Sequence, residues 1–216
     1  MIKHIFFDLD GTLTDPFEGV TSSFLYALSK FGITVENKNE LRRVIGPPLS
    51  DPFQNFYGLD PEQTLEANKY YREYFTKFGL LQNEIFPGIP ELLSNLKNKG
   101  YKLYVATSKP IEFAVQVLDS FNITGCFEFV SANNFADERH TKAQVIQYIF
   151  DTYPNINKEE CIMVGDRKYD VEGAKLFDIK SIGVLFGYAE NGEFEAAGAD
   201  YIVESVEDIE KLIDSL

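Results

Sequence analysis

Short apolar runs recur along the chain, with helix-period stretches between them. Residues 2–7 (IKHIFF), 102–106 (KLYVA), 127–130 (FEFV), 161–164 (CIMV), 180–185 (KSIGVL) and 201–203 (YIV) read as strands. Helices are expected between most of them. One covers 89–99 and ends at Gly100, a residue suited to a left-handed cap. Another covers 110–119 and starts with Pro110, whose missing N–H is harmless in a first turn. A third covers 142–151 after Thr141, with Gln144 placed for a capping box. The last two cover 171–177, after Asp170, and 206–215. Strand and helix in alternation predict an α/β fold, a doubly wound and mostly parallel sheet with helices on both faces.

Between Pro16 and Phe86 the alternation stops. Phe17, Val20, Phe24, Leu28 and Phe31 repeat at helical spacing, and Gly32 closes that run. Asp60, Pro61 and Gln63 mark another helix start, followed by an apolar stripe through Leu65, Tyr71, Tyr74, Phe75 and Phe78 that ends at Gly79. The expected organisation is a core of residues 1–15 and 87–216 with a small α-helical domain, 16–86, inserted over the carboxyl edge of the sheet. The aromatic stripes are expected to be its core. Hinges are expected at Thr14–Phe17 and Ile85–Gly88, where Pro16, Pro87 and Gly88 punctuate the chain.

Composition narrows the function. The 216 residues are 44% hydrophobic and 25% charged, as in ordinary globular proteins. No apolar run nears the roughly 20 residues of a membrane span, and MIKHIFFDLD does not have the form of a signal peptide. A cytoplasmic protein with no membrane partner is expected. The net charge of −14, with no basic stripe, argues against a nucleic-acid polymer as partner. Cys126 and Cys161 form no Cys-x-x-Cys pair and are expected to be buried free thiols. Only His4 and His140 are available as imidazoles, which leaves little for a His-based triad or zinc site. Carboxylates are the expected chemistry.

Three apolar runs end in residue types that phosphate chemistry needs. IFFDLDGT ends in Asp8 and Asp10, LYVATS in Thr107 and Ser108, and CIMVGD in Asp166. Ligands of a doubly wound sheet sit beyond the carboxyl ends of its strands, so the three sets are expected to converge on one crevice. Asp8 and Asp10 leave an extended chain on the same side and need a cation or a shared proton. Gly11 lets the chain turn and presents backbone N–H groups to an anion. An Asp-x-Asp by itself also fits a plain metal site or a strand-ending turn.

The full string DLDGTLTD is more specific, and it resembles the first motif of the haloacid dehalogenase-like (HAD) hydrolases. Thr107 is similar to the second motif of that family, Lys142 to the third, and GDRKYD, with Asp166 and Asp170, to the fourth. The motifs occur in order over essentially the full chain, and the insertion has the position of that family's helical cap. The resemblance implies that Asp8 attacks phosphorus and forms an aspartyl phosphate, while Asp10 protonates the leaving oxygen and then takes a proton from water. It implies Mg²⁺ held by Asp8, Asp166 and the backbone carbonyl of Asp10, with Asp170 orienting a water. Thr107 and Lys142 would hold the phosphate oxygens, with Gly11 beside them. Mg²⁺ and Lys142 do not balance four aspartates and a phosphate dianion, so one carboxylate is expected to stay protonated, with Asp10 its natural holder.

Other assignments remain open on the residues alone. Lys142 can be a solvated first-turn lysine, and Lys109 is a rival for its role. Ser108 either adds a hydrogen bond to substrate or caps the helix at Pro110. Arg42 and Arg43 suit phosphate recognition, Arg43 as a substrate contact, or are an exposed pair. Phe53, Phe56 and Tyr57 can stack on a base or fill the helical domain.

Asp10 also bears on the reaction, since a halide leaving group needs no proton and an alkoxide does. RRVIGPPL, FPGIPELLSNLKNKGYKLYVATSKP, and MVGDRKYDVEGAK followed by GVLFGYA are similar to the phosphoglycolate phosphatase-like branch and its members described as 5′-nucleotidases. The expectation is a phosphatase acting on a small-molecule phosphate ester, best a nucleoside 5′-monophosphate, as monomer or homodimer. Phosphoglycolate hydrolysis, a sugar phosphomutase and a non-catalytic phosphate-binding module are the alternatives.

Overall fold

In chain order, the computed structural model forms β1 (His4–Phe7), β2 (Thr14–Asp15), α1 (Phe17–Ser29), α2 (Ser50–Asn55), α3 (Pro61–Lys77) and β3 (Glu84–Ile85). Then follow α4 (Ile89–Asn98), β4 (Lys102–Pro110), α5 (Ile111–Ser120), β5 (Phe129–Asn133), α6 (Lys142–Thr152) and β6 (Cys161–Gly165). The chain ends with α7 (Lys168–Lys175), β7 (Lys180–Val184), α8 (Glu193–Ala197), β8 (Tyr201–Val203) and α9 (Val206–Asp214). The structure describes residues 1–136 and 138–216.

Six of these strands form one sheet in the order β5-β4-β1-β6-β7-β8, and every pairing in it is parallel. The expected α/β architecture is therefore present. Strand β1 lies between β4 and β6, so a parallel strand flanks it on each side, and Ile5, Phe6 and Phe7 are fully buried. This explains why the run is continuously apolar rather than alternating. Phe6, Tyr104 and Met163 from three neighbouring strands pack with Val145, Ile146 and Ile149 of α6 in one cluster. Beyond the ends of β1, β4 and β6 lies the place where such a sheet holds ligands.

Two units divide the chain: Met1–Asp15 with Ile85–Leu216, and Pro16–Glu84. The second unit consists of α1, α2, α3 and short 3₁₀ turns. Phe24 stacks on Phe53 at 4.6 Å and meets Tyr71 edge-on at 5.2 Å, so these aromatics are core of that unit. Leu65 and Phe78, expected in the same stripe, are largely exposed. Residues 85–86, expected in the helical domain, belong to the sheet unit: the Phe86 N–H donates to Leu13 O, and its ring meets Phe186 edge-on.

Local chemistry explains the other differences. The Asp60–Gln63 and Thr141–Gln144 capping boxes form as expected. Pro110 ends β4 and caps α5 with extended backbone instead of opening the helix. The edge strand β5 starts at Phe129, because a 3₁₀ turn at Thr124–Cys126 delays it. Helix α7 starts at Lys168, three residues before the expected start, since Asp170 caps it from inside the first turn. Helix α8 has five residues, too short for a helical period to register in the sequence. Cys161 is buried, and burial pushes its thiol up to about 12, whereas Cys126 is only half-buried. Among the described residues no helix is long and apolar enough to cross a membrane.

Ile146 is fully buried against β1, β4 and β6, so Ile146→Ala is expected to lower unfolding stability by about 2–5 kcal/mol. Leu176→Ala, at a residue 73% exposed, is expected to change it by less than about 0.5 kcal/mol. Urea titration of both variants checks the pair.

Candidate active site

The last residue of β1 hands the chain directly to the site. The Asp8 N–H still donates to Val164 O of β6 at 2.9 Å, so Asp8 is held as if the strand continued. The backbone then turns: Thr12, Leu13 and Thr14 all donate to Leu9 O, and Gly11 adopts a φ of +87°. Besides needing that left-handed backbone, Gly11 makes room for Asp166. A Cβ on Gly11 would stand 2.1 Å from Asp166 Oδ2. Gly187, in the loop after β7, approaches the same carboxylate from another side, where a Cβ would stand 2.3 Å from Asp166 Cβ.

Asp166 is thus enclosed by backbone and completely buried. It accepts the Thr12 hydroxyl at 3.3 Å on Oδ1 and the Tyr188 N–H at 3.0 Å on Oδ2. Asp170, in the first turn of α7, is also buried and accepts the Arg167 N–H at 3.1 Å. Carboxylate oxygens of Asp8, Asp166 and Asp170 lie within 4.8 Å of one another.

Two buried lysines face these acids. The Lys142 ammonium, in the first turn of α6, is 2.7 Å from Asp8 Oδ1 and 2.8 Å from Asp170 Oδ1. It also donates to Ala106 O at 2.8 Å. Lys142 is therefore no solvated surface lysine. The Lys109 ammonium donates to both oxygens of Asp10, at 2.8 and 2.7 Å. A register shift between Thr107 and Pro110 lets β4 bulge, placing Ser108 and Lys109 outside the regular ladder. Such bulges re-aim side chains beside active sites. Within the bulge the Lys109 N–H donates to Thr107 Oγ1 at 3.2 Å.

Burial and like charge dominate the electrostatics. Burial raises Asp166 well above the usual carboxylate range, and Asp8 and Asp170 add to the rise. Asp170 is pushed up to about 6 by burial, against the pull of Lys142. Burial works against the charge on Lys142, yet Asp170 and Asp8 outweigh it and raise that group. Three oxygen donors, two of them buried and resisting ionisation together, suit a hard divalent cation with oxygen ligands. Asp8, Asp166 and Asp170 fit such an ion.

Residues 5–184 match the haloacid dehalogenase-like hydrolase family. The chain belongs to this family. A 5′-nucleotidase of Pseudomonas aeruginosa is 40% identical to it, over 89% of this chain and 87% of that protein. A crystal structure from Clostridium acetobutylicum, described as a predicted phosphatase, superposes with a TM-score of 0.95 at 42% identity, over the whole of both chains. A haloacid dehalogenase-like hydrolase from Streptococcus pneumoniae superposes at 0.90 with 30% identity, over 98% of each.

Asp8, Asp10, Gly11, Thr107, Lys142, Asp166 and Asp170 of this HAD hydrolase all lie in the sheet unit, and direct contacts join Asp8, Lys142 and Asp170. Arg43 lies in the other unit, exposed, with its guanidinium 4.2 Å above the Phe56 ring. Ser108 does not cap α5, which has no side-chain cap. The charge balance that expected a protonated Asp10 left out Lys109, whose ammonium stands on both oxygens of that carboxylate. Sequence reasoning also missed Thr12 and Tyr188 as partners of Asp166. Their signal is position alone, since both follow the carboxyl ends of strands, β1 and β7.

At Asp166 and Asp170, held above their unfolded values, the folded state binds more protons than the unfolded chain. Their contribution to stability without metal should therefore fall as pH rises from about 4 through about 6 and beyond. Thermal unfolding in chelator is expected to show Tm declining over that range relative to Asp166→Asn. Asp166→Asn should flatten the decline, and Mg²⁺ should raise Tm more at pH 8 than at pH 5.5.

Proposed function

We propose that this HAD hydrolase is a Mg²⁺-dependent phosphatase that cleaves a small phosphomonoester, a nucleoside 5′-monophosphate, through an aspartyl phosphate on Asp8. The observation that carries the proposal is the grouping of Asp8, Asp166 and Asp170, with the buried Lys142 paired to Asp8 and Asp170. Phosphoric monoester hydrolysis also agrees with the family and with the relative named 5′-nucleotidase.

Asp8 is fixed by its backbone bond to β6 and by Lys142, so its free oxygen meets phosphorus without first losing rotamer freedom. Asp8, Asp166 and the Asp10 carbonyl would hold Mg²⁺, with Asp170 behind them. When bound, the ion supplies positive charge that draws the phosphoryl oxygens in and offsets the carboxylate repulsion. Lys142 and Thr107 then stabilise the equatorial oxygens, the main demand of phosphoryl transfer. Asp10 is more exposed than Asp8 and reaches the ester oxygen. It gives the leaving alkoxide a proton and later takes one from the attacking water.

The 5′-nucleotidase relative favours a nucleotide over phosphoglycolate. A panel of phosphate esters assayed with Mg²⁺ is expected to rank nucleoside 5′-monophosphates first in kcat/KM. Chelator should abolish turnover, and Asp8→Asn should lower it by at least about 10³-fold. Phosphoglycolate ranking first would move the substrate to that acid, and an active Asp8→Asn would remove the covalent route.

A further inference from the structure

Lys109 has no part in the scheme above, yet its side chain is only 5% exposed and its ammonium is spent on Asp10. A buried ammonium is costly unless it has a matching partner. The partner here is specific, since both Asp10 oxygens are engaged at 2.7–2.8 Å. Lys142 cannot take this task. It is already paired with Asp8 and Asp170 and donates to Ala106 O. Nor does Asp10 belong to the acidic group with metal-binding geometry, which comprises Asp8, Asp166 and Asp170 among the described residues. The β4 bulge thus brings a second cation to Asp10, a carboxylate that the first does not touch.

We propose that Lys109 is a positioning residue for Asp10 in the second half of the reaction, holding its carboxylate in the orientation that accepts a proton from the hydrolytic water. The inference rests on the phosphatase reading and deepens it. In that half-reaction the water oxygen bonds to phosphorus while the bond between phosphorus and Asp8 Oδ breaks. The bonding pair returns to the Asp8 carboxylate, and the water proton passes to Asp10. By donating to both oxygens, Lys109 fixes where the accepting oxygen of Asp10 stands. With both oxygens tied to a buried ammonium, Asp10 cannot swing toward the cluster around Asp8, where it would be a fourth carboxylate among three.

Mixing the enzyme rapidly with 4-nitrophenyl phosphate and Mg²⁺ separates the halves. This ester has a good leaving group and needs little help from an acid, so the first half depends weakly on Asp10. Lys109→Met keeps the apolar stem. It is expected to slow steady-state turnover by about tenfold or more while largely sparing the first turnover. A burst of about one nitrophenol per enzyme should follow, with acid-quenched protein carrying a matching phosphoryl group. Lys109→Gln provides the same reading if the Met variant fails to fold, and Asp10→Asn is the reference for losing the base. A burst in Asp10→Asn with none in either Lys109 variant, or equal slowing of both phases in those variants, overturns the role of Lys109 alone. No burst in Asp10→Asn overturns the base role of Asp10 and this inference with it. Unchanged turnover in Asp8→Asn marks failure of the covalent reading itself.

Discussion

Everything at this site depends on gathering carboxylates that repel one another. Asp8, Asp166 and Asp170 come from three different elements and would separate without compensation. Lys142 holds Asp8 and Asp170 from the first turn of α6 and is tied to the backbone of β4 through Ala106 O. Its position makes the helix and the sheet one electrostatic unit. A lysine at a helix start opposes the helix dipole, so the site retains it there against that local preference because the acids outweigh it. Asp166 relies on two neutral donors, the Thr12 hydroxyl and the Tyr188 N–H, and on a backbone enclosure that only glycine permits at positions 11 and 187.

The division of labour between the two lysines gives the arrangement its chemical logic. One cation stands on Asp8 and the other on Asp10, so the two neighbouring aspartates of the β1 loop have separate environments despite being two residues apart. Separate environments are how carboxylates of the same type come to perform different tasks. The buried acids of α7 and the β6 loop resist ionisation together, which is the state a divalent cation relieves.

Much of this was legible in the sequence. Runs such as IFFDLDGT and CIMVGD show both a buried strand and the acid at its end, so the sheet and Asp8 and Asp166 followed from one pattern. Lys142 followed from its capping-box helix and the resemblance. The rest depended on features that residue types do not display. Lys109 reaches Asp10 because β4 bulges after Thr107, and a strand pattern carries no mark of a bulge. Tyr188 serves Asp166 through a backbone N–H, which any residue but proline would supply. Asp170 lay within the reach of sequence reasoning, but its place inside the first turn of α7 did not, because the helix begins before its apolar face does.

The central claim is that Asp8 carries the phosphoryl group during turnover. Quenching the working enzyme, reducing with borohydride and mapping peptides by mass spectrometry tests it most directly. An acyl phosphate on Asp8 would be reduced there to homoserine, in the peptide spanning the β1 loop and only in the presence of substrate. Continued turnover with Asp8 unmodified, or reduction at another carboxylate, would contradict the account.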